Sequence, residues 1–160
     1  MKLTSKWLKE KSACSGGIAW FEKCGLASSV PVLKKLISED HLDWANWLIV
    51  RLMDRKQKIQ YAIFAAESVL EVYEKRRPGD DRPRKAIEAA KAVLQYDSAA
   101  NRKAAAAYAA AAYAAYAAAD AAAAAYAAYA AAADAADAAR KKLRLKILSY
   151  GMKLLDAKRV

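Results

Sequence analysis

The chain has 160 residues, 28 Lys and Arg against 17 Asp and Glu, and a formal net charge of +11. A surplus of that size favours anionic partners: nucleic acid, nucleotides, phospholipid headgroups or an acidic protein. One histidine, five glycines and two cysteines, Cys14 and Cys24, leave no catalytic triad, no Gly-rich phosphate loop and no zinc spacing, so the composition argues for a non-enzyme without a cofactor.

The length suits a single domain spanning 1–160. Lys2 to Lys11 alternates lysines with Trp7 and Leu8 and reads as a short basic helix or arm within residues 1–13. It lacks the apolar core of a signal peptide. Ser15-Gly16-Gly17 reads as a turn, with Ile18, Trp20 and Phe21 opening a packed segment, and Gly25 to Ser29 reads as a second loop. Pro31 suits the first turn of a helix through Ile37, and Asp40 is placed to cap a helix over Leu42 to Lys56.

That helix carries two stripes at 3–4 spacing. Leu42, Ala45, Leu48, Ile49, Leu52 and Met53 form a core-facing one, and Trp44, Trp47, Arg51, Arg55 and Lys58 form the other. The next helix, Gln57 to Lys75, is apolar nearly all round and is expected to be deeply buried, with Glu67, Glu71 and Glu74 on its wet edge. Arg77 to Pro83 is a turn by composition. Pro83 then opens a helix through about Tyr96, and Asp97 or Ser98 caps the alanine-rich segment beyond it.

From Ala104 to Ala139 the chain is alanine broken only by five tyrosines and three aspartates. Alanine has the best intrinsic helix propensity, and a run of this length overcomes the nucleation cost. Residues 98–139 are therefore read as an Ala/Tyr-rich helix, the central post of an all-α, compact helical bundle. Alanine is only weakly apolar, and Asp120, Asp134 and Asp137 interrupt the run, so it is not read as a membrane span. An unbroken helix from Ser98 to Leu155 would be about 87 Å long, against a radius of gyration of roughly 15 Å for a compact chain of this size. A break near Asp134 and Asp137 is the expected resolution. Against it, the cluster Arg140 to Lys146 would then open a helix, where cations oppose the dipole. Tyr108 and Tyr126 share a face, while Tyr113, Tyr116 and Tyr129 fall at other angles, as spacers between helices would.

Indoles stack on bases and guanidinium forks bind phosphates, so Trp44, Trp47, Arg51 and Arg55 make a candidate nucleotide site. Arg82 and Arg84, at a helix start where free N–H groups hold anions, could assist. The competing reading puts both tryptophans in the core, pairs Arg51 and Arg55 with Asp43, Asp54 or Glu67, and leaves Arg82 to Lys85 as a solvated turn. The run Arg140 to Lys146 could contact nucleic acid or be a wet helix face.

Five blocks carry a resemblance. They are Leu42-Asp43-Trp44-Ala45-Asn46-Trp47-Leu48-Ile49-Val50-Arg51, Tyr61-Ala62-Ile63-Phe64-Ala65-Ala66-Glu67, Arg82-Pro83-Arg84-Lys85-Ala86-Ile87-Glu88-Ala89, the Ala/Tyr/Asp tract, and Lys146-Ile147-Leu148-Ser149-Tyr150-Gly151. With Cys14, Gly17, Trp20 and Phe21 they resemble the immunity-protein-five-like family of phage and bacterial genomes, over Cys14 to Leu155. The resemblance implies a small all-helical binding protein of bacterial conflict. Alanine-rich antifreeze helices are set aside, because they need a regular Thr face and Thr4 is the single threonine.

Charge, aromatics and resemblance together give the expectation of a phage-type, non-enzymatic protein in the bacterial cytoplasm, with its cysteines reduced. It would sequester a small anionic ligand, a nucleotide immune signal of an anti-phage defence system. Two rivals stand beside it: an immunity or anti-defence protein that binds a toxin or defence protein directly, and a nucleic-acid-binding protein. The long rod favours a homo-oligomer, a dimer first, and no membrane partner is expected.

Overall fold

A computed structural model describes residues 1–106 and 133–157, and the fold is all-α. The helices are α1 (Ser5–Glu10), α2 (Ser15–Lys23), α3 (Ser29–Ser38), α4 (Leu42–Leu52), α5 (Arg55–Arg76), α6 (Arg82–Gln95) and α7 (Ala133–Asp156), and residues 99–106 are also helical. The chain divides into two units, Met1–Asp54 with Leu148–Val160, and Arg55–Ile147.

In the first unit the N-terminal segment is a helix tied to its surroundings. Thr4 is extended and its Oγ1 accepts the Trp7 N–H at 3.1 Å, a side-chain cap that starts α1. The Leu3 N–H donates to the Ala27 carbonyl at 2.6 Å, the Ser29 N–H donates to the Met1 carbonyl at 3.0 Å, and Leu3 and Leu8 are buried. Ser15-Gly16-Gly17 is the first turn of α2 and not a loop, because the Cys14 Sγ accepts the Gly17 N–H at 3.4 Å and caps the helix. The Trp44 indole lies over this turn, where a Cβ on Gly16 would meet its Cζ2 at 3.5 Å, an ordinary contact.

Leu42, Ala45, Leu48, Ile49 and Met53 are buried as their spacing predicts. The helix that carries them, however, stops at Leu52 and not at Lys56. Met53 is extended (ψ 143°) with its side chain in the core, and the chain re-enters helix at Arg55. Anchoring Met53 in this way breaks a stripe that runs on in sequence.

In the second unit α5 and α6 form an antiparallel hairpin about Gly79, whose φ of +90° is the left-handed conformation that favours glycine. Glu74 pairs with Arg84 at 2.7 Å and Glu67 with Lys91 at 2.6 Å, and each pair is symmetric about Gly79. Two helical turns separate these rungs along each helix, so they read the antiparallel register directly. Tyr61 and Ile63 of α5, and Ile87 and Val93 of α6, are buried. The expectation that α5 is deeply buried all round is corrected: much of it is half-buried or exposed, Ala62 is exposed and Val72 is 56% exposed.

Ser98, one of the two candidate caps, accepts the Asn101 N–H on its Oγ at 3.0 Å. From Ala133 onward α7 runs through Asp134 and Asp137 as helix, and the stretch just before it lies outside the described residues. Arg140 to Lys146 lies inside a helix, and the dipole objection to it disappears. Residues of α7 up to Ile147 belong to the second unit and those from Leu148 to the first, where Leu148 and Gly151 are buried. Tyr108, Tyr113, Tyr116, Tyr126, Tyr129 and Asp120, with residues 107–132 of the proposed central post, lie outside the described residues.

Candidate binding surfaces

Three of the six candidate site residues, Trp44, Trp47 and Arg51, share a face of α4. His41, at the N-cap of α4, stacks on Trp44 with ring centroids 4.4 Å apart and planes 22° from parallel. Trp20 of α2 meets His41 edge-on at 6.0 Å and Trp44 at 6.5 Å. Its indole N–H donates to Glu39 Oε2 at 2.6 Å, and Glu39 Oε1 holds Lys35 Nζ at 2.7 Å. Lys35, and after it the Trp20 hydrogen bond, keep the Glu39 carboxyl below its ordinary range. At the other end of the row the Arg51 guanidinium lies 4.6 Å from the centroid of the Trp47 ring. The three indoles and His41 are half-buried, and Arg51 is exposed. The result is a ridge of two contact groups along one face of α4, Trp20–His41–Trp44 and Trp47–Arg51, neither core nor free surface. Trp20, His41 and Glu39 are functional candidates that sequence reasoning passed over. His41 stands three residues before Trp44, so helical spacing could have found it. Trp20 reaches the ridge only through tertiary packing.

The other three, Arg55, Arg82 and Arg84, belong to the second unit, and each fork grips a carboxylate there. Arg55 holds Asp97 (Nη1 to Oδ2, 2.8 Å), and not Asp54 or Glu67. Arg84 holds Glu74 through Nε at 2.9 Å and Nη2 at 2.7 Å. Arg82 grips Asp80 through Nε at 2.8 Å and Nη2 at 2.6 Å, its backbone N–H adds a third bond to that carboxylate, and the Tyr73 hydroxyl donates a fourth at 2.6 Å. Arg82 first, and Tyr73 second, hold the Asp80 carboxyl far below the usual carboxylate range, while the Tyr73 phenol is raised by the bond it donates. An open hollow lies over this turn, lined by Arg77 to Arg82. The predicted stripe therefore does not continue to Arg55 on one helix, since the Met53–Asp54 break assigns Arg55 to α5.

Among the described residues no three His, Cys, Asp or Glu side chains cluster as metal ligands, and no helix is long and apolar enough to cross a membrane. Residues 48–160 match the family described as "Imm-5 like putative immunity protein", and the chain belongs to that family. The match takes in Arg51, Arg55, Arg82 and Arg84 and begins after Trp20, His41, Trp44 and Trp47. No curated protein and no solved structure matches the chain.

Proposed function

We propose that this chain is a non-enzymatic immunity factor of bacterial conflict that acts in the cytoplasm by binding, and that the α4 ridge recognises a protein partner. The observation that carries this reading is the unbroken contact from Trp20 through His41 and Trp44, continued along α4 by Trp47 under Arg51. Tryptophan and arginine dominate the few residues that supply most of the energy of protein interfaces. Side chains already held by stacking and by the Glu39 bond lose little further freedom on docking. The net charge of +11 makes an acidic toxin or defence protein the favoured partner, steering its approach as well as its fit.

Sequestration of a nucleotide signal is the second reading, and the guanidinium stacked on Trp47 favours it. It is weaker at this ridge, because of the four candidate arginines Arg51 alone stands there, while Arg55, Arg82 and Arg84 belong to the second unit and are each bonded to a carboxylate.

Two measurements decide between them. Native mass spectrometry of protein purified from a bacterial host reads any co-purifying small molecule. Cross-linking in phage-infected cells, with wild type beside the Trp47→Ala/Arg51→Ala double variant, reads a protein partner. The expected result is a mass without adduct and a cross-linked protein that the double variant loses. A nucleotide-sized adduct lost in the same variant would replace this reading with the second, and a partner held equally by both forms would overturn the ridge.

A further inference from the structure

A different surface is built where α6 ends, wholly within the second unit. Tyr96 leaves the helix in extended backbone (φ −146°). Its N–H donates to the Ala92 carbonyl at 2.9 Å, and its own carbonyl accepts the Ser98 N–H at 3.0 Å and Asn101 Nδ2 at 2.8 Å. The backbone is therefore pinned, yet the ring is 74% exposed, more than any other large hydrophobic side chain among the described residues. Packing gives no reason for an aromatic ring held in water on a fixed backbone.

Beside it, Asp97 gathers two arginines from separate helical segments. Arg55 binds it through Nη1 at 2.8 Å and Nη2 at 3.2 Å, and Arg102 through Nη1 at 3.1 Å. Unlike the one-to-one pairs Arg82–Asp80 and Arg84–Glu74, this cluster sets two cations on one carboxylate. A guanidinium has five N–H donors, so both arginines keep donors that Asp97 does not use, and both are about half exposed. Lys56 follows Arg55, Lys58 lies one turn further along α5, Lys103 follows Arg102, and all three are exposed. Two arginines therefore share one carboxylate next to an unemployed aromatic ring, and three exposed lysines close to them in sequence add positive charge.

Exposed rings that stack bases, set in a positively charged surface that holds the backbone, are how proteins bind single-stranded nucleic acid and nucleotides. We infer that this corner binds a nucleobase carrying phosphate. The Tyr96 ring stacks on the base, Arg55 and Arg102 bind phosphate through their unused N–H groups, and Lys56, Lys58 and Lys103 supply the surrounding field. The site is independent of the α4 ridge and survives if the ridge reading fails. The base and phosphate could belong to a free nucleotide or to a short single strand, which share this chemistry.

The test uses the full chain with two probes: ATP followed by calorimetry, and a fluorescein-labelled eight-base thymidine strand followed by anisotropy, each at low and physiological salt. Wild type is expected to bind at least one probe, with Tyr96→Ala weakening that binding about tenfold or more and Tyr96→Phe retaining it. Because the ring is exposed, Tyr96→Ala should keep the wild-type circular dichroism, and loss of binding then reports the site. If the strand is the ligand, Lys58→Ala and Lys103→Ala should each lower the slope of log affinity against log salt by about 0.7. Binding of ATP alone or of the strand alone supports the site and names its source. Equal affinity of Tyr96→Ala and wild type would mean only diffuse attraction to a basic surface, and that result, or no binding of either probe, overturns the inference.

Discussion

Tyr61 is 6% exposed, and burial pushes its phenol from 10.0 up to about 12. The pKa is raised in the folded chain, so the unfolded chain loses its proton first. Tyr61 is neutral in both states below about pH 10, and stability is lost as pH rises from there toward about 12. Tyr61→Phe should remove that loss, on the order of 2 kcal/mol at the alkaline end. Urea midpoints of the two proteins at pH 9 and pH 11.5 should show wild type falling further. Asp80 behaves in the opposite sense. Its folded pKa is depressed by Arg82 and Tyr73, so its contribution is present above the ordinary carboxylate range and disappears as pH falls through the folded value. Asp80→Asn should be the less stable protein at neutral pH, and the two melting curves should converge in acid. The site is at the surface, so added salt should shrink the neutral-pH difference. These partnerships were only partly open to sequence reading. That Arg82 would sit in a charged turn is evident from its neighbours. That Arg55 would find Asp97, 42 positions away, is signalled by nothing local.

Among the elements, the α2–α4 contact shows what glycine contributes. The Cβ of alanine at position 16 would meet Trp44 at an ordinary 3.5 Å, whereas a branched side chain must push the indole off His41. Gly16→Ala should be tolerated, and could add a few tenths to about 1 kcal/mol by restricting the unfolded chain. Gly16→Val should cost about 1–3 kcal/mol and flatten the near-UV circular dichroism of the tryptophans. An unchanged tryptophan spectrum in Gly16→Val would show that Trp44 does not rest on that backbone. The start of α2 was not legible for a related reason. A Ser-Gly-Gly sequence signals a turn, and a cysteine thiol is an uncommon helix cap. The end of α4 was hidden differently. Helical spacing continues through Met53 and Arg55, yet the helix stops at Leu52 with Met53 buried in extended backbone. Where local signals agreed, as at the Arg77–Pro83 turn and the two ends of α5, sequence placed the elements within a residue or two.

At the level of the whole chain, the apolar face of α4 and the end of α7 belong to one unit although almost a hundred residues separate them. Leu148 is 2% exposed there. Leu148→Ala should destabilise that unit by about 2–5 kcal/mol, as other buried leucine truncations do. Because Trp7, Trp20, Trp44 and Trp47 all lie in the first unit, tryptophan fluorescence reads its unfolding. A variant that melts with wild type by this probe would remove Leu148 from its core. The family match, over residues 48–160, contains the second unit and the returning end of α7 but not α1, α2 or α3. The ridge therefore draws most of its side chains from a stretch outside the match, whereas the Tyr96 corner lies inside it.

That return of α7 to the first unit also sets a timetable. On a ribosome, the first four helices emerge well before Leu148 exists, and at about 5–20 residues per second the wait lasts roughly 5 to 20 s. Throughout it, the first unit lacks one of its buried leucines, and the nascent chain is open to chaperones or to any protein already present that fits the uncovered side. The Arg55–Ile147 unit closes just before the first, with its own Phe64 waiting for Lys146. Birth order thus runs against finishing order: the part of the chain synthesised first is the part completed last.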